Sequence, residues 1–231
     1  MGKEKREPRG PRLELAGSLC VAFVNTAAPR PDNAQQGVGS YAELLIWGRQ
    51  THILSVAEAE RLAQIARERP ADAAAVLSRA VELREALRRI FRALWSHVPP
   101  PDDALRLLNG ALREVLSQAS LGPGKESLTL GWSAPEDALD GVLRGVVVSA
   151  METLTSPDAH RVRKCAATDC GTHFVDRSPS RRRRWCAVQP CGNRAKSLRY
   201  YYRKGKKERE HSLNKVRPDR IRRKRPPQVK R

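Results

Sequence analysis

Long apolar runs are missing from this chain. The nearest approach, "GVVVSAM" at residues 145–151, falls far short of the roughly 18 residues that a membrane-crossing helix needs, and Arg144 adjoins it. The charged start "MGKEKREPRGPR" leads into no apolar stretch of signal-peptide type, so the reading is a soluble, cytoplasmic protein with no membrane partner. Internal repeats are absent, as are a Gly-rich phosphate loop, a catalytic triad and a His-carboxylate cluster, so an enzyme is not expected. His52 and His97 fall at helix ends, where they complement the helix dipole. Acidic residues are scarce in one place only. Residues 158–231 hold 25 basic and six acidic side chains, against 14 and 17 in residues 13–157 and five and two in residues 1–12. The formal charge of +19 therefore sits in the last third, as in a neutral domain joined to a polyanion-binding one.

What is present before residue 157 is mostly helical. The 40% hydrophobic content suffices for at least one ordinary core. "LCVAFV" at residues 19–24 fits either a short strand or a buried helix. Ser40 caps a helix through Leu44, Leu45 and Trp47, and Ser55 with Glu58 forms a capping box before the stripe Val56, Ala59, Leu62, Ala63 and Ala66. Pro70 stops that helix and Asp72 can cap a long amphipathic one reaching about His97. The prolines at 99–101 precede a further helix, "DDALRLLNGALREVLSQA", starting at Asp102 or Asp103. "SLTLGW" alternates as a strand, and "PEDALDGVLRGVVVSAMETL" returns to helix, ending near Ser156-Pro157. The fold class expected is mainly α (α+β), a helical N-terminal domain with one or two short strands and a small cysteine-rich finger. The expected divisions are a flexible basic segment 1–12, a helical domain 13–157, a finger 158–205 and a basic tail 206–231 lacking regular structure.

Only five cysteines occur, and four fall within 27 residues: Cys165, Cys170, Cys186 and Cys191. The pattern C-x4-C, a 15-residue spacer and C-x4-C lets two short pairs present four thiolates tetrahedrally to one structural zinc ion. Buried free cysteines, a reversible dithiol switch and an iron–sulfur cluster are the other readings of these residues. His173 lies between the pairs, but four thiolates leave it no vacancy, and packing or hydrogen bonding is its expected role. Cys20, among apolar residues, reads as core.

The run "CAATDCGTHFVDRSPSRRRRWCAVQPCGNRAK" resembles the CGNR zinc finger, a C-terminal module of bacterial DNA-binding regulators. Upstream, "LCVAFVNT" followed by "SYAELLIWGRQTHILS" is similar to the ABATE domain, described as a stress-induced transcription regulator, although Ala22 stands where the motif carries an acidic residue. The resemblance spans nearly the whole chain. It implies transcription regulation, DNA binding and one zinc ion.

The basic residues divide into two groups. Arg181, Arg182, Arg183 and Arg184 precede the second cysteine pair. Beyond Cys191 a helix is expected, with Ala195, Leu198 and Tyr202 on one face and Lys196, Arg199 and Arg203 on another. Those side chains, with Arg194, are the candidate contacts to double-stranded DNA. Arg194 and Asn193 equally suit shaping the helix start. Trp185 and Phe174 read as the finger's small core, and at least one of Tyr200, Tyr201 and Tyr202 is free to stack on a base. An RNA-binding or ribosome-associated protein is the alternative function. "FVNT" offers a possible small-molecule pocket through Asn25 and Thr26, or simply a cap from Asn25 on the next turn. A homodimer is compatible with a reader of short sites.

Overall fold

In the computed structural model, residues 16–27, 37–133, 135 and 137–215 are described, with side chains as far as Arg209. The expectations for residues 1–12 and for 216–231 lie outside the described residues. The chain divides into two units, 1–192 and 193–231.

Seven α-helices and two two-stranded sheets make up the described residues, so the mainly helical fold class holds. The helices of the first unit are α1 (Leu19–Val24), α2 (Tyr41–Gln50), α3 (Val56–Glu68), α4 (Pro70–Trp95), α5 (Asp102–Ser117) and α6 (Gly141–Thr155). The ambiguous "LCVAFV" is helix α1, buried on nearly every side, which is why its pattern showed no period. Both expected caps form. The Glu43 amide donates to Ser40 Oγ at 3.2 Å, and Ser55 and Glu58 exchange reciprocal hydrogen bonds at 2.7 and 3.2 Å. Pro70 ends α3 and also opens α4 as its first residue, where a missing N–H costs nothing; Asp72 pairs with Arg69 at 2.7 Å instead of capping. His52 and His97 follow α2 and α4 with φ of 60° and 55°. The next amides close back five residues, Ile53 onto Gly48 at 2.9 Å and Val98 onto Ala93 at 3.0 Å.

Helix α5 stops at Ser117, short of the expected Ala119, because Ala119 begins strand β1 (Ala119–Pro123), paired antiparallel with β2 (Leu128–Trp132). These are the one or two short strands expected of the N-terminal domain, and a second hairpin, β3 (Val162–Lys164) with β4 (His173–Val175), lies in the cysteine-rich segment.

The core gathers around α4. Helices α5, α1, α2 and α3 pack on it, and α6 bridges α1 and α5. Phe23, Leu87, Ile90, Phe91, Val142 and Val146 are fully buried there, each contributing on the order of 2 kcal/mol. Phe23 meets Trp47 at 5.2 Å between ring centroids.

Although the composition changes abruptly near Ser156-Pro157-Asp158, packing does not break there. Side chains on a strand alternate between faces, so β4 sends Val175 into the helical core and Phe174 into the cysteine cluster. Val162 on β3, opposite Val175, joins the same helical core. Gly17, with φ of 76°, lies so close that an added Cβ would meet Val175 Cβ at 3.1 Å. Its carbonyl accepts a hydrogen bond from Arg177 at 2.6 Å.

The second unit contains helix α7 (Asn193–Lys215), preceded by a wide turn at Val188–Gly192. It runs on to Lys215, although the charge density led us to expect irregular chain from Lys206.

Candidate metal centre and basic helix

Hairpin β3–β4 and the loop after it build the cysteine site. Cys165 follows β3, and its amide donates to the Thr172 carbonyl at 2.8 Å, holding the first pair on the hairpin. The Ala166 amide donates to the Arg184 carbonyl at 2.9 Å, which brings the second pair across. All four sulfurs are buried and lie within 4.8 Å of one another. Cys170 and Cys186 are 3.8 Å apart, Cys186 and Cys191 3.7 Å. Zn–S bonds of about 2.3 Å in a tetrahedron place sulfurs about 3.8 Å apart, so the donor set fits one zinc ion. A disulfide needs about 2.0 Å, and none is formed.

The thiols are electrostatically unequal. Hydrogen bonds from Cys165 and Cys186 hold Cys170 well below the usual thiol range. The same kind of pairing, with burial added, pushes Cys186 up, and burial pushes Cys191 up to about 12. Four thiols packed this closely in a buried place resist full ionisation until a dication arrives. The Cys186 amide, 3.5 Å from Cys165 Sγ, donates to a sulfur that a zinc ion would leave rich in charge.

A buried aspartate fixes the loop between the pairs. Asp176 accepts from the Ser178 amide at 3.0 Å, the Ser178 hydroxyl at 2.6 Å and the Arg183 amide at 3.0 Å. Burial acts to raise its carboxyl, but these bonds, with Arg163 nearby, outweigh it and hold the group below its ordinary range. The Arg183 side chain turns inward. It donates to the Trp185 carbonyl at 2.9 Å and to the Cys186 carbonyl, and its guanidinium lies 4.5 Å from the Phe174 ring centroid. Arg181, Arg182 and Arg184 are exposed. Phe174 is fully buried and Trp185 partly so, both against the cysteines.

The sequence reading missed the Asp176–Arg183 staple, although Asp-x-Ser-Pro is turn chemistry that signals it. It also missed what Asn25 does. Rather than capping a turn or lining a pocket, the Asn25 amide clasps the backbone of His173, donating to its carbonyl at 2.8 Å and accepting from its amide at 2.7 Å. Thr26 Oγ1 donates to the Phe23 carbonyl at 2.7 Å and accepts from Arg84 at 2.9 Å. His173 is buried, its ring 6.5 Å from Phe91, and stands outside the sulfur cluster. Burial first, then Lys164 and Arg88, push its pKa down to about 4. Cys20 is fully buried, as expected of a core residue.

In the second unit, α7 carries Lys196, Arg199 and Arg203 within one arc of its surface, all exposed, while Arg194 is partly buried. Leu198 and Tyr202, on the helix face they share with Ala195, are 51% and 74% exposed, and Tyr200 and Tyr201 are exposed as well. Among residues 193–207 there is no acidic side chain.

A four-thiolate cage of this geometry, on a short hairpin and followed by a basic helix, defines a zinc-finger protein. Residues 161–204 match the family described as CGNR zinc finger, and residues 17–157 match the family described as "Putative stress-induced transcription regulator", ABATE. The chain belongs to the ABATE family and carries a CGNR zinc finger at residues 161–204. No curated protein matches it. No helix of the described residues is long and apolar enough to cross a membrane.

Proposed function

We propose that this chain is a bacterial transcription regulator that binds duplex DNA through its zinc finger and basic helix, under control of the helical domain. One observation carries the reading: a helix of 23 residues, about 34 Å long, presents exposed Lys196, Arg199 and Arg203 directly after the last zinc ligand. Such a helix suits the major groove, where arginine pairs with guanine, and three exposed tyrosines add stacking surface. Arg181, Arg182 and Arg184 supply further phosphate contacts, while Arg183, committed to the Cys186 and Trp185 carbonyls, positions the loop. Zinc is structural. Four thiolates leave it no open position for substrate, and no enzymatic role is assigned.

The test is anisotropy of zinc-loaded full-length protein with random-sequence duplex DNA, the matching single strands and a folded RNA. Duplex is expected to win. Preference for the RNA would move the chain to the RNA-binding reading, which exposed aromatics on a basic helix also suit. The full chain is the proper sample, because cutting at residue 158 would strip Val162 and Val175 of their helical neighbours.

A further inference from the structure

A groove of about 870 Å³ lies between α4 and the first cysteine loop. Arg84, Arg92 and Lys164 line it, and none of the three makes an ion pair among the described residues. Arg84 is partly buried, its guanidinium held by Thr26 Oγ1 at 2.9 Å and the Val38 carbonyl at 3.0 Å, both neutral oxygens, while Glu85 acts on it electrostatically without an ion pair. Arg88 also lines the groove but is satisfied by Glu85 at 2.6 and 2.8 Å, and Asp169 sits at the loop side. Four cations thus face two carboxylates, Glu85 and Asp169, and the lining keeps a cationic excess. A partly buried cation held by neutral oxygens is costly, and an anion drawn into the groove offsets that cost. Exposed Trp95 and Val81 supply an apolar wall beside the cations. Cys170, a sulfur of the metal cage, and buried His173 also line it.

We propose that this groove binds a small phosphate-bearing molecule with an aromatic or apolar part, of mononucleotide type, and that it is the site through which the helical domain controls the finger. The volume suits such a ligand, and the charges and the tryptophan match its two halves. Duplex DNA presents phosphate too, but a rod of its width meets only the rim and does not reach partly buried Arg84. The coupling part rests on the regulator reading above, and the binding part does not. A ligand held by α4 on one side and by the Cys170 loop on the other favours one arrangement of the two, which is what an effector must do.

The experiment titrates zinc-loaded full-length protein with ATP, inorganic pyrophosphate and adenosine by calorimetry at 0.15 M salt, where diffuse binding to the basic tail is screened. Parallel titrations use Arg92→Ala, Arg92→Lys and Lys164→Gln, each checked for zinc content and helicity, and duplex DNA binding is measured for all. ATP is expected to bind at one site. Arg92→Ala and Lys164→Gln should each weaken it at least about tenfold, Arg92→Lys much less, and adenosine alone should not bind. Their DNA affinity without ATP should stay within about twofold of the parent. Absence of saturable ATP binding, or binding indifferent to both charge-removing variants, would overturn the proposal. Loss of DNA binding in those variants without any ATP site would overturn it too, giving the groove to the nucleic-acid backbone. Groove-dependent ATP binding in a protein that ignores DNA would uphold the site and sink the regulator reading instead.

Discussion

Asn25 and His173, 148 positions apart, are joined by two hydrogen bonds between the Asn25 amide and the His173 backbone, at 2.8 and 2.7 Å. Asn25 thereby imitates a neighbouring strand on the free edge of β4, and it does so from the end of α1. The helical domain holds the finger by a polar clasp beside the shared apolar wall of Val162 and Val175. Asn25→Ala leaves both backbone groups of His173 unpaired in a part-buried place, and a loss of about 2 kcal/mol is expected. Asn25→Asp keeps the acceptor and loses the donor, so it should fall between. Urea denaturation checks the order, and equal stability of all three proteins would remove the clasp from the account.

Zinc binding should release protons. Cys186 and Cys191 are raised above the ordinary thiol range, so they enter the metal-free site protonated and must become thiolates in the cage. Zinc uptake at pH 7 is expected to release at least about two protons per ion, and affinity should fall as pH falls. Calorimetry in buffers of different ionisation enthalpy measures the number. Cys186→Ser should lose the ion while far-UV circular dichroism retains most of its helical signal, because α1 to α6 keep their own core.

Much of this architecture was legible because it is local. A capping box needs only Ser55 and Glu58, and a four-thiolate cage needs only spacing, so both are visible along the chain. The hairpin β3–β4 was not, since three-residue strands are too short to show alternation. Its role depends on Phe174 and Val175 facing two different cores, which no pattern within the segment reveals. The pairing of Asn25 with His173 is nonlocal for the same reason. Arg183 illustrates the opposite hazard. In a run of four arginines composition treats all alike, yet the turn held by Asp176 directs one of them inward.

Acid should loosen the finger through two groups. Asp176 has a depressed pKa, so its stabilisation is complete above the ordinary carboxylate range and is lost as pH falls through its folded value. His173 is neutral in the fold with a pKa of about 4, against about 6.5 unfolded, so protonation favours the unfolded chain across that window. Stability should therefore decline from about pH 6.5 toward 4, by on the order of 3 kcal/mol from His173, with Asp176 adding at the acid end. NMR of the His173 ring is expected to show no titration between about pH 7 and 5. A midpoint near 6.5 would contradict its burial. Asp176→Asn should destabilise the loop at neutral pH and remove its share of the acid sensitivity.

The basic helix gives the last expectation. Each phosphate neutralised contributes about 0.9 to the slope of log affinity against log salt on duplex DNA. Lys196, Arg199 and Arg203 share one exposed arc of α7, so replacing all three with alanine should lower that slope by up to about 3. Because these positions are exposed and lie outside the metal cage, zinc content should be unchanged. Tyr200→Ala, at a residue 64% exposed, should weaken binding without altering the slope, since stacking releases no counterions. A triple variant whose slope matches the parent would mean that the phosphates are met elsewhere, by Arg181, Arg182 and Arg184 or by residues beyond 215, and that α7 is not the DNA-reading element.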